Sequence, residues 1–184
     1  PGVRRVGPKL IASLDRAVAL CEGTLRYGRA EERPPEPRRV ALAALVDEVA
    51  EGVFRAGEVE ARFENEVERD LVALADPEQL YRILSNLVRN ARQAIESSKR
   101  GGRVRVRARA DAERGVEIDV VDDGPGLPSK ALANLFQPFR GGARSGGSGL
   151  GLAIAQERAR AQGGSLELLS STTEGTAFRI TLPN

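Results

Sequence analysis

Side-chain amides cluster in one amphipathic segment of the chain. Residues 76–98 predict a helix, because Asp76 suits the N-cap position and apolar residues then recur with helical periodicity. At about 100° per residue, Asn86, Asn90 and Gln93 fall within an arc of about 60° at the edge of the apolar stripe. Such amides either hydrogen-bond to neighbouring backbone or provide neutral oxygen ligands, which suit Mg²⁺.

A second segment places a carboxylate at the end of a predicted buried strand. The alternating residues 115–122 end at Asp122, and Gly124 and Gly126 then force a tight turn around Pro125. These residue types form ordinary turns in many proteins. A carboxylate at the end of a buried strand nevertheless needs a hydrogen-bond donor, and the amino group of adenine is one such donor.

A third segment is dominated by glycine. Residues 141–155 carry six glycines and then become a helix-forming run. Glycine lets backbone N–H groups approach phosphate oxygens, and a helix N-terminus adds donors and a favourable dipole. No Gly-Lys-Ser/Thr follows, and Gly147, Gly149 and Gly151 miss the Gly-x-Gly-x-x-Gly spacing, so two common phosphate loops are excluded. A flexible linker is the alternative, but it does not explain glycine in the first turn of a helix.

Two phenylalanines precede this glycine-rich segment. Phe136 and Phe139 lie on either side of Pro138, and the chain has five phenylalanines in total. This arrangement predicts a hydrophobic anchor for the loop that follows.

The elements around these motifs alternate between helices and strands. Together they predict an α+β fold, a two-layer sandwich with helices on one side of an antiparallel or mixed sheet. The predicted helices cover residues 41–59, 76–98 and 150–161, and the predicted strands cover 61–66, 71–75, 103–110, 115–122, 165–171 and 176–182.

The N-terminal part has a different pattern. Leu10, Leu14, Val18, Cys21 and Leu25 form the narrow apolar stripe of a long bundle-type helix. The proline-rich stretch 31–40 cannot continue that helix and is typical of a linker. We therefore expect two regions, residues 1–38 and residues 39–184.

Composition excludes several classes of protein. The 28 basic and 26 acidic residues are interleaved and give a net charge of +2, so we expect no nucleic-acid binding. No apolar run is long enough to span a membrane, and we expect a cytoplasmic domain without membrane contact. The chain contains no histidine and no methionine and opens on Pro1, which we interpret as the sign of a fragment.

The order of the motifs adds a specific resemblance. The stretches "NLVRNARQAI", "DDGPGLP", "LFQPF", "GGSGLGLAIA" and "GTAF" resemble, in that order, the N, G1, F, G2 and G3 boxes of sensor histidine kinases. These boxes belong to the ATP-binding domain of the Bergerat or GHKL fold, and the resemblance covers about residues 40–184. Residues 9–38 resemble the second helix of the dimerisation hairpin that precedes this domain in such kinases.

The resemblance implies roles for individual residues. Asn90 matches the asparagine that ligates Mg²⁺, and Asp122 matches the aspartate that accepts a hydrogen bond from the adenine amino group. Thr176 matches a residue that supports the adenine through water. The remaining implied contacts to nucleotide or lid are Gln93, Gly124, Gly126, Phe136, Phe139, Gly147, Gly149, Leu150 and Gly151.

Two positions depart from related proteins. Asn86 stands where gyrase and MutL have a water-activating glutamate, and an amide cannot take a proton at neutral pH. The resemblance therefore implies that Asn86 and Asn90 serve catalysis without rapid ATP hydrolysis. Gln93 stands where many histidine kinases have lysine.

The resemblance implies an ATP- and Mg²⁺-dependent histidine protein kinase of a two-component system. We expect the γ-phosphate to pass to a histidine outside this chain and then to a response regulator receiver domain, with homodimerisation through helix 9–30. The fragment alone, lacking histidine, is not expected to autophosphorylate. Two alternatives stay open: a serine kinase of the anti-sigma-factor type, and a non-catalytic module whose nucleotide-dependent lid binds a partner.

Overall fold

Helices pack against one face of a mixed five-stranded sheet. The computed structural model describes residues 34–54, 61–98, 102–138 and 149–184. The strands are β1 (Arg38–Ala41), β2 (Ala61–Asn65), β3 (Val72–Ala75), β4 (Gly102–Asp111), β5 (Gly115–Asp122), β6 (Ser165–Thr172) and β7 (Gly175–Leu182). The helices are α1 (Leu42–Val53), α2 (Pro77–Ser98), α3 (Ser129–Leu132) and α4 (Gly151–Ala161).

The main sheet has the strand order β2-β4-β5-β7-β6. β2 runs parallel to β4, and the other neighbouring pairs are antiparallel. β1 and β3 form a separate antiparallel pair. The register places Asp122, at the end of β5, between Val104 of β4 and Thr176 of β7. The end of the central strand is thus enclosed by both of its neighbours.

Alternation along the strands builds the core between sheet and helices. Val104 and Val106 of β4 and Ile118 of β5 are fully buried, as are Leu80 and Leu84 on the apolar stripe of α2. Burying a side chain of this size contributes about 1.5–3 kcal/mol, so the stripe of α2 holds the helix firmly on the sheet. The amide-bearing edge of α2 is thereby fixed relative to the ends of β5 and β7.

The opposite face of the sheet carries buried ion pairs. Arg179 of β7 donates two hydrogen bonds to the Asp119 carboxylate, 2.7 and 2.9 Å long, and its Nη1 lies 3.0 Å from Oε2 of Glu117. Burial alone would raise the pKa of Asp119, but the hydrogen bonds and charge of Arg179 and the charge of Arg107 hold that pKa below its usual value. The Asp119 carboxylate therefore stays charged beneath its arginine partners.

The structure confirms the predicted fold class and most of the predicted elements. The helix predicted over 76–98 is α2, and Asp76 caps it by accepting a hydrogen bond from the Gln79 N–H at 3.0 Å. The mixed sheet and the closing hairpin, β6 and β7, are also present.

Two short elements, β1 and α3, were not predicted. Arg38, placed with the N-terminal region, already pairs with β3. The predicted helix 9–30, including Cys21, lies outside the described residues. None of the helices in the described part of the chain is sufficiently long and apolar to cross a membrane.

Candidate nucleotide-binding site

The amide-bearing edge of α2 faces the start of α4. Asn86 and Asn90 lie one turn apart and are half-buried, whereas Gln93 is exposed. No hydrogen bond joins either asparagine side chain to another residue in the described part of the chain, so hydrogen bonding to backbone does not explain why asparagine stands at these two positions. A Cβ atom added at Gly151, the first residue of α4, would lie 3.4 Å from Oδ1 of Asn86. The structure therefore brings the asparagine-bearing edge of α2 and the start of α4 together.

The Asp122 turn reaches the same helix further along. Asp122 is 7% exposed, and its Oδ1 accepts a hydrogen bond from the Gly124 N–H at 2.9 Å. A Cβ atom at Gly124 would lie 3.3 Å from Cβ of Ala94 on α2. Because a side chain at position 124 would crowd both Asp122 and Ala94, glycine lets the turn lie directly against the helix.

These two contacts define the length of the site. Gly151 lies against Asn86 and Gly124 against Ala94, and eight residues of α2 correspond to about 12 Å along the helix axis. Asn90 lies midway between the two contacts and half-exposed on the same edge. One end of the site thus has a buried carboxylate, the middle has an amide, and the other end has a helix N-terminus.

The neighbouring strand β7 closes the carboxylate end. Thr176 is directly opposite Asp122 in the antiparallel register and is 4% exposed. Gly175 has a φ of +143°, and a Cβ atom there would lie 2.0 Å from the carbonyl oxygen of Asp122. Only glycine permits this approach, which sets the hydroxyl-bearing Thr176 beside the aspartate.

The turn after Asp122 is also held by the β6–β7 hairpin. Gly126 has a φ of +72°, and a Cβ atom there would lie 2.1 Å from the carbonyl oxygen of Thr172. The Leu127 N–H donates a hydrogen bond to Oγ of Ser171 at 2.8 Å. Ser171 was missed by the sequence prediction. Its place opposite Thr176 in the hairpin register was the signal that could have found it.

The segments that flank the glycine-rich loop are partly described. Phe136 is half-buried and packs against the core. Gly149 has a φ of +70°, and Leu150 is 1% exposed, so the Leu150 side chain belongs to the core and only its backbone can face a ligand. Phe139 and Gly147 lie outside the described residues.

The start of α4 is suited to an anion. Leu150 at the N-cap position offers no side-chain acceptor to the first-turn N–H groups, and the first turn of α4 contains no acidic residue. The N-terminal end of a helix carries a partial positive charge and donors without intrahelical partners. Facing Asn86, this end of the site suits phosphate oxygens, while the Asp122 end suits an amino group.

These features define an ATP-binding α/β domain. Residues 75–184 match the family model described as "Histidine kinase-, DNA gyrase B-, and HSP90-like ATPase". The chain belongs to this family, and its relatives are sensor histidine kinases.

Three of these relatives illustrate the similarity. The sensor protein FixL of Bradyrhizobium diazoefficiens is 36% identical over 96% of this chain and 36% of FixL. The solved mycobacterial sensor histidine kinase MprB is 30% identical with a TM-score of 0.66, over 80% of this chain and 97% of that one. Full-length ShkA in complex with AMPPNP is 30% identical with a TM-score of 0.75, over 98% of this chain and 38% of that one. The chain spans less than half the length of the curated relatives that it matches.

Proposed function

We propose that this chain binds Mg·ATP along the edge of α2 and supplies the γ-phosphate to a histidine outside its own sequence. The observation that carries the proposal is the meeting of three separate segments on one helix edge. The buried Asp122 turn lies against Ala94, the start of α4 lies against Asn86, and Asn90 lies between them. The AMPPNP complex of the related ShkA supports a nucleotide as the ligand.

The Asp122 end would hold the adenine base. A carboxylate offers about four acceptor positions, so Asp122 can accept both the Gly124 N–H and the adenine amino group. Thr176, directly opposite, would support the base through a water molecule. Gly124 and Gly126 keep the turn free of side chains where the flat base would lie.

The middle of the site would hold the metal ion. The half-buried Asn90 side chain fits this role, because an amide oxygen is a neutral hard ligand that lets Mg²⁺ keep its waters and phosphate ligands. When bound, Mg²⁺ neutralises charge on the phosphate oxygens. Exposed Gln93, one turn further on, would contact the ligand only at the solvent edge.

The α4 end would hold the phosphates. Backbone N–H groups of Gly149, Leu150 and Gly151 would face them, with Gly147 in the loop before, and Phe136 and Phe139 would anchor the start of the lid. Asn86 cannot act as a general base, so no side chain at that position would activate water. The γ-phosphate would thus await the acceptor histidine, and the phosphoryl group would then pass to a response regulator receiver domain.

The wider setting follows from the same proposal. We place the domain in the cytoplasm, where ATP is available, in a protein that would form a homodimer through the helix predicted over 9–30 and carry its acceptor histidine on a neighbouring helix. In the serine-kinase alternative, the phosphoryl group would pass to a serine instead of a histidine. In the non-catalytic alternative, the domain would bind nucleotide but transfer no phosphoryl group.

Calorimetric titration of ATP with and without Mg²⁺ tests the binding step. We expect Asp122→Asn to weaken binding by about 10- to 100-fold, because a charged hydrogen bond to the base contributes about 1.5–3 kcal/mol. Asp111→Asn is the matched control, since Asp111 also accepts backbone N–H groups, those of Glu113 and Arg114, at the opposite end of the β4–β5 pair. Equal affinities for the two variants, or no binding by the unmutated chain, would contradict the proposal.

A separate polypeptide that carries a histidine-bearing helical hairpin tests the transfer step. With labelled ATP and this chain, we expect an acid-labile phosphohistidine on the hairpin. Acid-stable label on serine would favour the serine-kinase alternative, and nucleotide binding without any transfer would favour the non-catalytic module.

A further inference from the structure

One residue at the start of α2 binds three separate parts of the chain. Oδ2 of Asp76 accepts a hydrogen bond from the Glu36 N–H at 3.0 Å, and Oδ1 accepts one from the Gln79 N–H at 3.0 Å. The N–H of Asp76 itself donates to Oε1 of Gln162 at 2.7 Å. Glu36 belongs to the segment before β1, and Gln162 is the C-cap residue of α4. Asp76 therefore joins the proline-rich segment to both helices of the nucleotide site.

Both ends of α4 contact α2, one at Asn86 in the middle of α2 and the other at Asp76 before its first turn. α4 begins at Gly151 beside Asn86 and ends at Gln162 beside Asp76, so it runs antiparallel to α2. The paired points are ten residues apart on α2 and eleven apart on α4, which corresponds to about 15 and 16 Å. A helix of this length is stiff, so a shift of α4 at the phosphate end is transmitted to Gln162.

Two buried polar atoms beside this junction lack hydrogen-bond partners in the described part of the chain. They are Nε2 of Gln162, a donor, and Oε1 of Gln79, an acceptor. Gln79 is 7% exposed, and its backbone N–H donates to the Asp76 carboxylate, whereas the Gln162 side chain accepts the Asp76 N–H. Buried polar groups are rarely left unpaired, so these two complementary atoms point to a second arrangement of the junction in which they are satisfied.

We propose that Asp76 and Gln162 are positioning residues that couple the phosphate end of the nucleotide site to the segment 34–37. In this proposal, nucleotide bound at Gly151 shifts α4 along α2, and this shift moves Gln162 relative to Asp76. The hydrogen bond from the Glu36 N–H to the Asp76 carboxylate then changes in strength. This coupling rests on the proposed ATP binding and adds a route by which nucleotide reaches the segment that precedes the domain.

Hydrogen exchange of the Glu36 amide tests the coupling in the 184-residue chain. The probe is Mg·AMPPNP, and affinity is measured in parallel by calorimetry. In the unmutated chain, we expect saturating nucleotide to change the Glu36 exchange rate by at least about threefold. In Gln162→Ala, we expect nucleotide affinity within about threefold of the unmutated value, with no change in Glu36 exchange on binding.

Gln156→Ala is the matched control, because Gln156 is a half-buried glutamine on the same helix, away from Asp76. It should keep both nucleotide affinity and the Glu36 response. A purely structural role for Gln162 would lower affinity and stability together and leave the Glu36 response intact, which would overturn the coupling. Binding that leaves Glu36 unchanged in the unmutated chain also overturns it. Absence of binding in the unmutated chain contradicts the proposed function itself.

Discussion

Replacing Gly151 by alanine should separate the stability of the fold from its affinity for nucleotide. The added Cβ would lie 3.4 Å from Oδ1 and 3.8 Å from Cγ of Asn86, which are ordinary contacts, so the fold has room for it. Alanine is about 1 kcal/mol better than glycine in a helix interior. Because position 151 is in the first turn, we expect about half of this gain, which raises the Tm by about 1–2 °C for a domain of this size.

The same methyl group would narrow the approach to the backbone N–H groups at the start of α4, to which we assign the phosphates. Displacing a charged hydrogen bond there should weaken Mg·ATP binding by about 10- to 100-fold. Thermal unfolding without nucleotide and calorimetric titration of the same sample give the two values. A variant that is more stable and binds ATP as tightly as the unmutated chain would refute the assignment of the phosphates to this position.

Three further predictions concern the ion pairs on the opposite face of the sheet, the turn after Asp122 and the proposed metal site. Arg179→Met should lower the free energy of unfolding by about 3 kcal/mol at neutral pH, because it leaves the buried carboxylates of Asp119 and Glu117 without this partner. Since the pKa of Asp119 is lowered in the fold, its ion pair stabilises the protein above about pH 4, and this stabilisation is lost as the pH falls through the folded-state pKa. Urea unfolding should therefore show a smaller difference between variant and unmutated chain in acid, and a difference independent of pH would contradict this. Gly126→Ala should lower the free energy of unfolding by at least about 2 kcal/mol, because Gly126 has a φ of +72° and an added Cβ would lie 2.1 Å from a carbonyl oxygen. Urea unfolding measures this, and an unchanged midpoint would contradict the close packing of the turn against the hairpin. Asn90→Ala should abolish the gain in ATP affinity that Mg²⁺ gives in calorimetry, and a retained gain would remove Asn90 from the metal site.

Local patterns were sufficient to predict much of this fold. The N-cap at Asp76 and the periodicity after it predicted α2 to within one residue. The alternation in 115–122 predicted β5 and placed Asp122 at its end, where the structure buries it. Such features depend on residues close together in sequence, so residue types and their spacing are enough to predict them.

Features that depend on pairing between distant segments were not predicted. β1 is four residues long and exists because it pairs with β3, and its sequence lies in a proline-rich stretch. The hydrogen bond from Leu127 to Ser171 and the one from Asp76 to Gln162 join residues 44 and 86 positions apart. The hairpin register could have placed Ser171 opposite Thr176. The two hydrogen bonds themselves leave no local signal, because their partners become neighbours only when the sheet order and the antiparallel packing of α4 on α2 are known.

The claim that Asp122, Asn90 and the start of α4 form one nucleotide site is tested most directly by mapping bound Mg·AMPPNP on the backbone amides of this chain by NMR. We predict that the largest shift changes fall together on residues 86–94, 122–126, 149–153 and 175–176, and that Asp119 and Arg179 on the opposite face of the sheet stay unchanged. Shift changes centred on that opposite face, or limited to a single one of the four segments, would contradict the account.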